Sequence, residues 1–148
     1  MNIIKAEIEH VDLLIPLFDA YRVFYRASPD PDRARQFLNS RIANKESIIY
    51  LAIIDDKAVG FTQLYFSFSS VSMQRTYILN DLYVHKVYRK QGIGEALLNR
   101  AKQLCRDNGY KGVGLETEPN NPAQFLYERL NWEKDHHLQY FWMNDQLT

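Results

Sequence analysis

The residues whose types and spacing bear on chemistry gather in one stretch, Tyr77 to Arg100, reading YILNDLYVHKVYRKQGIGEALLNR. Its apolar, β-branched and aromatic start, Tyr77 to Val84, predicts a strand. A basic loop with two glycines follows, Arg89-Lys90-Gln91-Gly92-Ile93-Gly94. A helix opens directly from it, with Ile93, Leu97, Ala101 and Leu104 at helical spacing. Strand, glycine loop and helix start together can hold an anion. The first-turn N–H groups have no intrahelical acceptor, and the helix dipole adds positive potential beside them. Gly92 and Gly94 let a phosphate approach the backbone, and Arg89 and Lys90 add charge. A P-loop is excluded, because no Gly-Lys-Ser/Thr follows. The dinucleotide fingerprint is excluded as well, because the three glycines spaced G-x-G-x-x-G are missing.

The elements that must position this loop follow from the chain in order. Asn2 to Ile8 alternates as a strand, and Glu9 to Arg26 keeps the apolar spacing of a helix, Val11, Leu14, Ile15, Phe18, Arg22 and Tyr25. Pro16 should kink that helix or push its regular start later. Ser28-Pro29-Asp30-Pro31 breaks the chain, with Asp30 as N-cap and Pro31 as first residue of a second helix to about Ala43. Ser47 to Ile54 and Ala58 to Phe68 predict a hairpin turning at Asp55-Asp56-Lys57, and Ser67 to Ser72 a second turn. Gly109 should stop the third helix in the left-handed conformation. Gly112 to Thr117 is a fifth strand, and a short helix to about Leu130 carries Ala123, Leu126, Tyr127 and Leu130 on one face. Two closing strands are expected, one from Trp132 and one over Leu138 to Met143. The order is βααβββαβαββ, an α/β chain with a mixed sheet, because the strand-helix-strand unit around the third helix needs a parallel pair.

Three motifs in this order carry a family resemblance. Arg89, Gly92 and Gly94 form an Arg-x-x-Gly-x-Gly pattern that resembles the acetyl-CoA pyrophosphate loop of the GNAT superfamily of N-acetyltransferases. Asn120-Asn121-Pro122-Ala123-Gln124-Phe125-Leu126-Tyr127 resembles the family's Asn-x-x-Ala-x-x-Leu-Tyr segment. Asp81-Leu82-Tyr83-Val84 resembles the strand that precedes the loop. Asn131 stands where the family often has glycine, a mild departure because Asn also tolerates the left-handed region. The resemblance covers essentially the whole chain, residues 1–148, read as a single domain, and points to the branch that includes polyamine, diamine and histone-type acetyltransferases.

What the resemblance implies is acetyl transfer from acetyl-CoA to a primary amine by direct attack. The fold would splay between strands 4 and 5, with Leu82, Tyr83 and Val84 holding the pantetheine arm and the Val84 N–H polarising the thioester. Arg89, Lys90, Gln91, Gly92, Ile93, Gly94 and Glu95 would hold the pyrophosphate, and Asn120 and Ala123 would contact the cosubstrate. Tyr127 would meet the sulfur and protonate the departing thiolate. Polyamine-directed relatives carry Glu-Asp where this chain has Asn80-Asp81, so Asp81 or Glu116 is left as base. Tyr21, Phe24, Tyr25 and Asp81, with Asp19, would border the acceptor. Asp81, Glu116 and Glu118 together with aromatic faces favour a small cationic amine. The alternatives are a protein lysine or N-terminus as acceptor, and a CoA-binding module without turnover.

Composition bounds the remaining classes. The chain has 148 residues, 46% hydrophobic and 24% charged, with 18 basic and 18 acidic side chains, so a basic nucleic-acid face is not expected. The one cysteine, Cys105, suits a reducing, cytoplasmic setting and a buried position. Glu7 and Glu9 fall where a signal peptide would need an apolar core, and no apolar run reaches membrane-spanning length. His136-His137 would point to opposite faces of a strand, so no metal is expected. The apolar run Leu138 to Met143 is a candidate contact for a homodimer.

Overall fold

The computed structural model describes residues 1–147. The chain divides into two compact units, Met1–Glu116 and a second beginning at Thr117.

The first unit is built on a five-stranded sheet in the order β1-β2-β3-β4-β5, with β1 at Asn2–Lys5, β2 at Ser47–Ile54, β3 at Lys57–Ser69, β4 at Gln74–Val84 and β5 at Val113–Gly114. β1 to β4 pair antiparallel, and β4 and β5 pair parallel, so the sheet is mixed as expected. The hairpin between β2 and β3 closes Ile54 onto Lys57 through Asp55 (φ 47°) and Asp56 (φ 62°). Two successive left-handed residues match the twist of the flanking strands, and aspartate accepts that conformation at small cost.

Helices cover both faces of the sheet. α1 (Val11–Phe24) and α2 (Pro31–Ala43) place Val11, Leu14, Phe18, Ala34 and Leu38 in a core with Ile49, Leu51 and Phe61 of the strands. A 3-10 turn, Ile8–His10, precedes α1, which then runs straight through Pro16. Asp30 caps α2 as expected, accepting the Arg33 N–H at 3.1 Å with Pro31 in the first turn. α3 (Ile93–Asp107) buries Ile93, Leu97, Leu98, Ala101 and Cys105 and packs on β2, β3 and β4. Arg100 of α3 sits 4.5 Å from the centroid of the buried Tyr50 ring, so Tyr50 faces α3 while its neighbours Ile49 and Leu51 face α1 and α2. α3 ends with Gly109 left-handed (φ 66°), the Gly109 N–H on the Arg106 carbonyl and the Tyr110 N–H on that of Cys105.

Two features of this unit fix where the loop sits. Gly60 of β3 lies under the start of α3. A Cβ there would stand 3.0 Å from the Tyr83 carbonyl oxygen and 3.3 Å from Ile93 Cγ2, so glycine leaves room for the helix to start this close to the sheet. The pairing of β4 with β5 covers only Tyr77↔Val113 and Ile78↔Gly114. Beyond Ile78, β4 keeps β3 on one side and, among the described residues, has no strand on the other. The fifth strand is thus shorter than the expected Gly112 to Thr117.

The second unit holds one helix, α4 (Ala123–Arg129). Among its described residues there is no strand, so the two closing strands expected from Trp132 and from Leu138 to Met143 do not form. Leu138, Tyr140, Phe141, Trp142 and Met143 are each more than two-thirds exposed. β-forming side chains make a strand only against a neighbouring ladder, and the one regular element of this unit is a helix.

Candidate active site

The polar centre of the first unit lies at a β-bulge. The β3–β4 register runs Gln63↔Asp81 and then Leu64↔Leu79, so Asn80 is an extra residue with no partner on β3. The bulge turns the Asn80 carbonyl to α1, where the Tyr21 hydroxyl donates to it at 3.1 Å. The Thr62 hydroxyl donates to the Asp81 carbonyl at 2.8 Å. Side chains thus satisfy the carbonyls that the distorted ladder releases.

Asp81 itself is only 2% exposed, and its described partners are all neutral. Gln63 Nε2 donates to one carboxylate oxygen at 2.6 Å and Asn80 Nδ2 to the other at 2.7 Å. Burial pushes the carboxyl above the ordinary aspartate value, and the hydrogen bonds from Asn80, Gln63 and Tyr21 work against that rise. The phenols nearby move the same way. Burial, then the Asp81 charge, raises Tyr21, and the same two causes push Tyr65 up to about 12 although Arg41 opposes them. Both phenols therefore stay protonated near neutral pH, and that of Tyr21 donates to the Asn80 carbonyl. Gln63 is fully buried, and its second amide atom, Oε1, has no hydrogen-bond partner. Such a group costs roughly 1–3 kcal/mol.

An aromatic cover lies over this cluster. Tyr21 meets Tyr25 edge-on at 5.1 Å and Phe61 at 5.9 Å, and Phe24 meets Tyr25 at 5.1 Å. Phe24 is half-exposed. Asp19, expected beside the acceptor, instead holds the α1–α2 turn, accepting from Arg22 at 2.9 Å and from the Asp30 N–H at 3.0 Å. Glu116 lies two residues past the end of β5 and is exposed.

The glycine loop runs directly into the start of α3. Gly92 is left-handed (φ 82°) at the N-cap of α3, and an added Cβ there would meet nothing within 4 Å. The first helical bond is from Ala96 N–H to the Gly92 carbonyl, so the N–H groups of Ile93 and Gly94 lie ahead of it in the first turn. Lys90 is also left-handed (φ 64°) and exposed, with Gln91 exposed next to it. Arg89 has a different place from a pure phosphate ligand. Its Nε donates to the Val84 carbonyl at 2.9 Å, and its guanidinium stands 5.5 Å from the Tyr83 ring and 6.0 Å from Phe24. It ties the loop to the open end of β4 and to the last turn of α1.

In the second unit, Asn121 Oδ1 accepts the Ala123 N–H at 3.0 Å and caps the start of α4. Asn120 precedes it in the turn and is exposed. The helix ends with Asn131 left-handed (φ 65°), the Asn131 N–H on the Glu128 carbonyl and the Trp132 N–H on the Tyr127 carbonyl at 2.9 Å. This is the arrangement that closes α3, with Asn131 in the part of Gly109. It sets the Tyr127 and Trp132 rings 6.4 Å apart.

The profile of the Acetyltransferase (GNAT) family matches residues 14–132. The chain belongs to the GNAT family. An uncharacterized N-acetyltransferase, YhfO, of Bacillus subtilis (strain 168) is 43% identical over 145 residues, 97% of each chain. A probable acetyltransferase of Haemophilus influenzae (strain ATCC 51907 / DSM 11121 / KW20 / Rd) is 36% identical, covering 86% of this chain and 97% of its own. A solved structure described as a probable acetyltransferase superposes with a TM-score of 0.91 at 40% identity, covering 100% of both chains.

The protein is thus an acetyl-CoA-dependent acetyltransferase, and the first unit fits that cosubstrate. The free side of β4 offers backbone groups to an extended arm, and the α3 start with Gly92 offers N–H groups to a pyrophosphate. Among the described residues no group of three or more His, Cys, Asp or Glu gathers as a metal site, and no helix is long and apolar enough to cross a membrane. The acetyltransferase brings Asp81, Tyr21 and Tyr25 together, along with two residues that sequence reading did not single out, Gln63 and Tyr65. A glutamine inside the otherwise apolar β3 run was the one available signal for the first of these.

Proposed function

We propose that this GNAT acetyltransferase, acting as one domain, moves the acetyl group from acetyl-CoA to the primary amine of a small cationic molecule. The observation that carries the reading is Asp81. It is a carboxylate buried under aromatic side chains and held only by neutral groups. A buried charge of this kind is best matched by a cation from outside the chain, and Tyr21, Tyr25 and Phe24 supply faces that favour an ammonium group.

The reaction balances as follows. The bound ammonium gives one proton to Asp81. Its nitrogen bonds to the acetyl carbon and the carbon–sulfur bond breaks. The thiolate takes the proton of Tyr127, and Tyr127 recovers the proton shed by the new amide. Asp81 passes its proton to solvent. An alkylamine of pKa about 10.4 is neutral in only about one molecule in 2,500 at pH 7, so the first step matters most there. What supports Tyr127 is its place in the Asn120 to Tyr127 segment and the general match of a phenol to a thiolate. The free cysteine suits a cytoplasmic protein. The exposed Leu138 to Met143 run suits a homodimer, which sedimentation velocity measures.

Free-thiol release with a panel of diamines, neutral amines and anionic amines tests the reading. Cationic amines should give the highest kcat/KM, rising with pH. Asp81→Asn should lower kcat/KM most at neutral pH and least in alkali. A neutral or anionic acceptor that outperforms every cationic amine, or a wild-type pH profile for Asp81→Asn, overturns it.

A further inference from the structure

Gln63 and Asp81 face each other across β3 and β4 only because Asn80 bulges out of the ladder. Their contact is short, 2.6 Å from Nε2 to Oδ2. Gln63 has no exposure, and its other amide atom has no partner. A methionine would fill the same space without an unmatched oxygen, so shape alone does not explain a glutamine here. The amide has one property that an apolar side chain lacks: it can serve Asp81 in both protonation states. With Asp81 ionised, Nε2 donates to the carboxylate, as observed. With Asp81 protonated, a half-turn of the amide lets Oε1 accept the new O–H.

We propose that Gln63 is a positioning residue of the acetyl transfer, holding Asp81 in the form that takes the acceptor's proton and turning its amide as that proton comes and goes. This rests on the reading of Asp81 given above. The oxygen left unmatched in the ionised state is the one required in the protonated state. Asn80, held on the other carboxylate oxygen at 2.7 Å, is exposed, so Gln63 is the fully buried partner of the two. The titratable groups facing Asp81 from neighbouring elements are Tyr21 of α1 and Tyr65 of β3, with Tyr25 acting on Tyr21 and Arg41 and Glu46 acting on Tyr65. The raised phenols of Tyr21 and Tyr65 hold their protons across the working range and do not contribute to the acid limb.

Donation to a charged oxygen is the stronger of the two bonds, so its loss destabilises the carboxylate more than the acid. Gln63→Met should therefore move the acid limb of the kcat/KM profile for a cationic amine upward by about one pH unit, a loss of about tenfold below the limb. The alkaline plateau and the acetyl-CoA KM should stay at wild-type values. A loss of equal size at every pH, or an unmoved limb, overturns the proposal. NMR of the unsubstituted full chain supplies a second measurement. The Gln63 side-chain amide signals should titrate with the same midpoint as the Asp81 carboxyl carbon, and amide signals flat through that midpoint also overturn it. Asp81→Asn separates the two levels. If the acid limb survives that substitution, the reading of Asp81 fails; if Asp81→Asn abolishes the limb while Gln63→Met leaves it in place, only the role of Gln63 fails.

Discussion

A phenol helps a thiolate leave only if it keeps its proton until the carbon–sulfur bond breaks. In the proposed mechanism Tyr127 is that phenol; its backbone carbonyl accepts the Trp132 N–H at 2.9 Å, and its ring lies 6.4 Å from that of Trp132. Tyr127→Phe keeps the ring and the backbone bond to Trp132 and removes the proposed acid. The expected result is a kcat lowered on the order of 10²-fold with little change in acetyl-CoA affinity, because acid help is confined to the transition state. Steady-state kinetics with calorimetric Kd values checks it, and a wild-type kcat removes Tyr127 from the mechanism. Tyr21 and Tyr65 differ: half-buried near the Asp81 carboxylate, both phenols are raised and keep their protons, and that of Tyr21 donates to the Asn80 carbonyl.

At the scale of elements, the proposed reading makes cosubstrate binding depend on the start of α3. Gly60 lets Ile93 close onto β3 and β4, Gly92 turns the loop left-handed into the helix, and Arg89 ties the loop to Val84. Gly92→Trp should weaken CoA binding at least about tenfold, about 1.4 kcal/mol, through the strained backbone and through bulk placed where a phosphate would sit. An added Cβ at Gly92 meets no neighbour, so any fall in melting temperature should come from the non-glycine residue held at φ 82° and not from a clash. Calorimetry with CoA decides, and an unchanged Kd sends the pyrophosphate elsewhere. Much of this level was legible in the sequence, because punctuation is local. Asp30-Pro31, Gly92, Gly109 and Asn131 each announce a cap through their own backbone preferences. The bulge at Asn80 was not legible, since it is a property of two strands in register and nothing in Asn80 alone requires it. The same holds for Gln63, whose importance comes from the residue opposite. The closing strands failed for the converse reason: apolar alternation over Leu138 to Met143 states a preference that only a neighbouring ladder can realise.

At the scale of the first unit, Asp81 sits between the sheet and α1, where a charge is expensive. Because burial raises its carboxyl, the folded chain holds the Asp81 proton more tightly than the unfolded chain does. Between the ordinary aspartate value of about 3.9 and the raised value, the folded state therefore binds more protons, and stability declines as pH climbs through that window. Whatever Asp81 adds to stability is fully present below the window and is lost above it, where the ionised group is a charge kept from water. Asp81→Asn removes the charge at similar volume, and the unmatched Oε1 of Gln63 can turn to accept from the introduced amide. The substitution should then raise the melting temperature at pH 7 by on the order of 3 °C, the shift that about 1 kcal/mol gives in a chain of this size. The advantage should shrink as the pH is lowered through that window, as wild-type Asp81 takes up its proton. The same substitution is the one expected to lose activity at neutral pH, a trade common where a site keeps a destabilising group for its chemistry. Melting curves of both proteins across this range measure it. A lower melting temperature at pH 7, with a gap that does not close in acid, would make Asp81 an anchor of the bulge and remove it from the proton path.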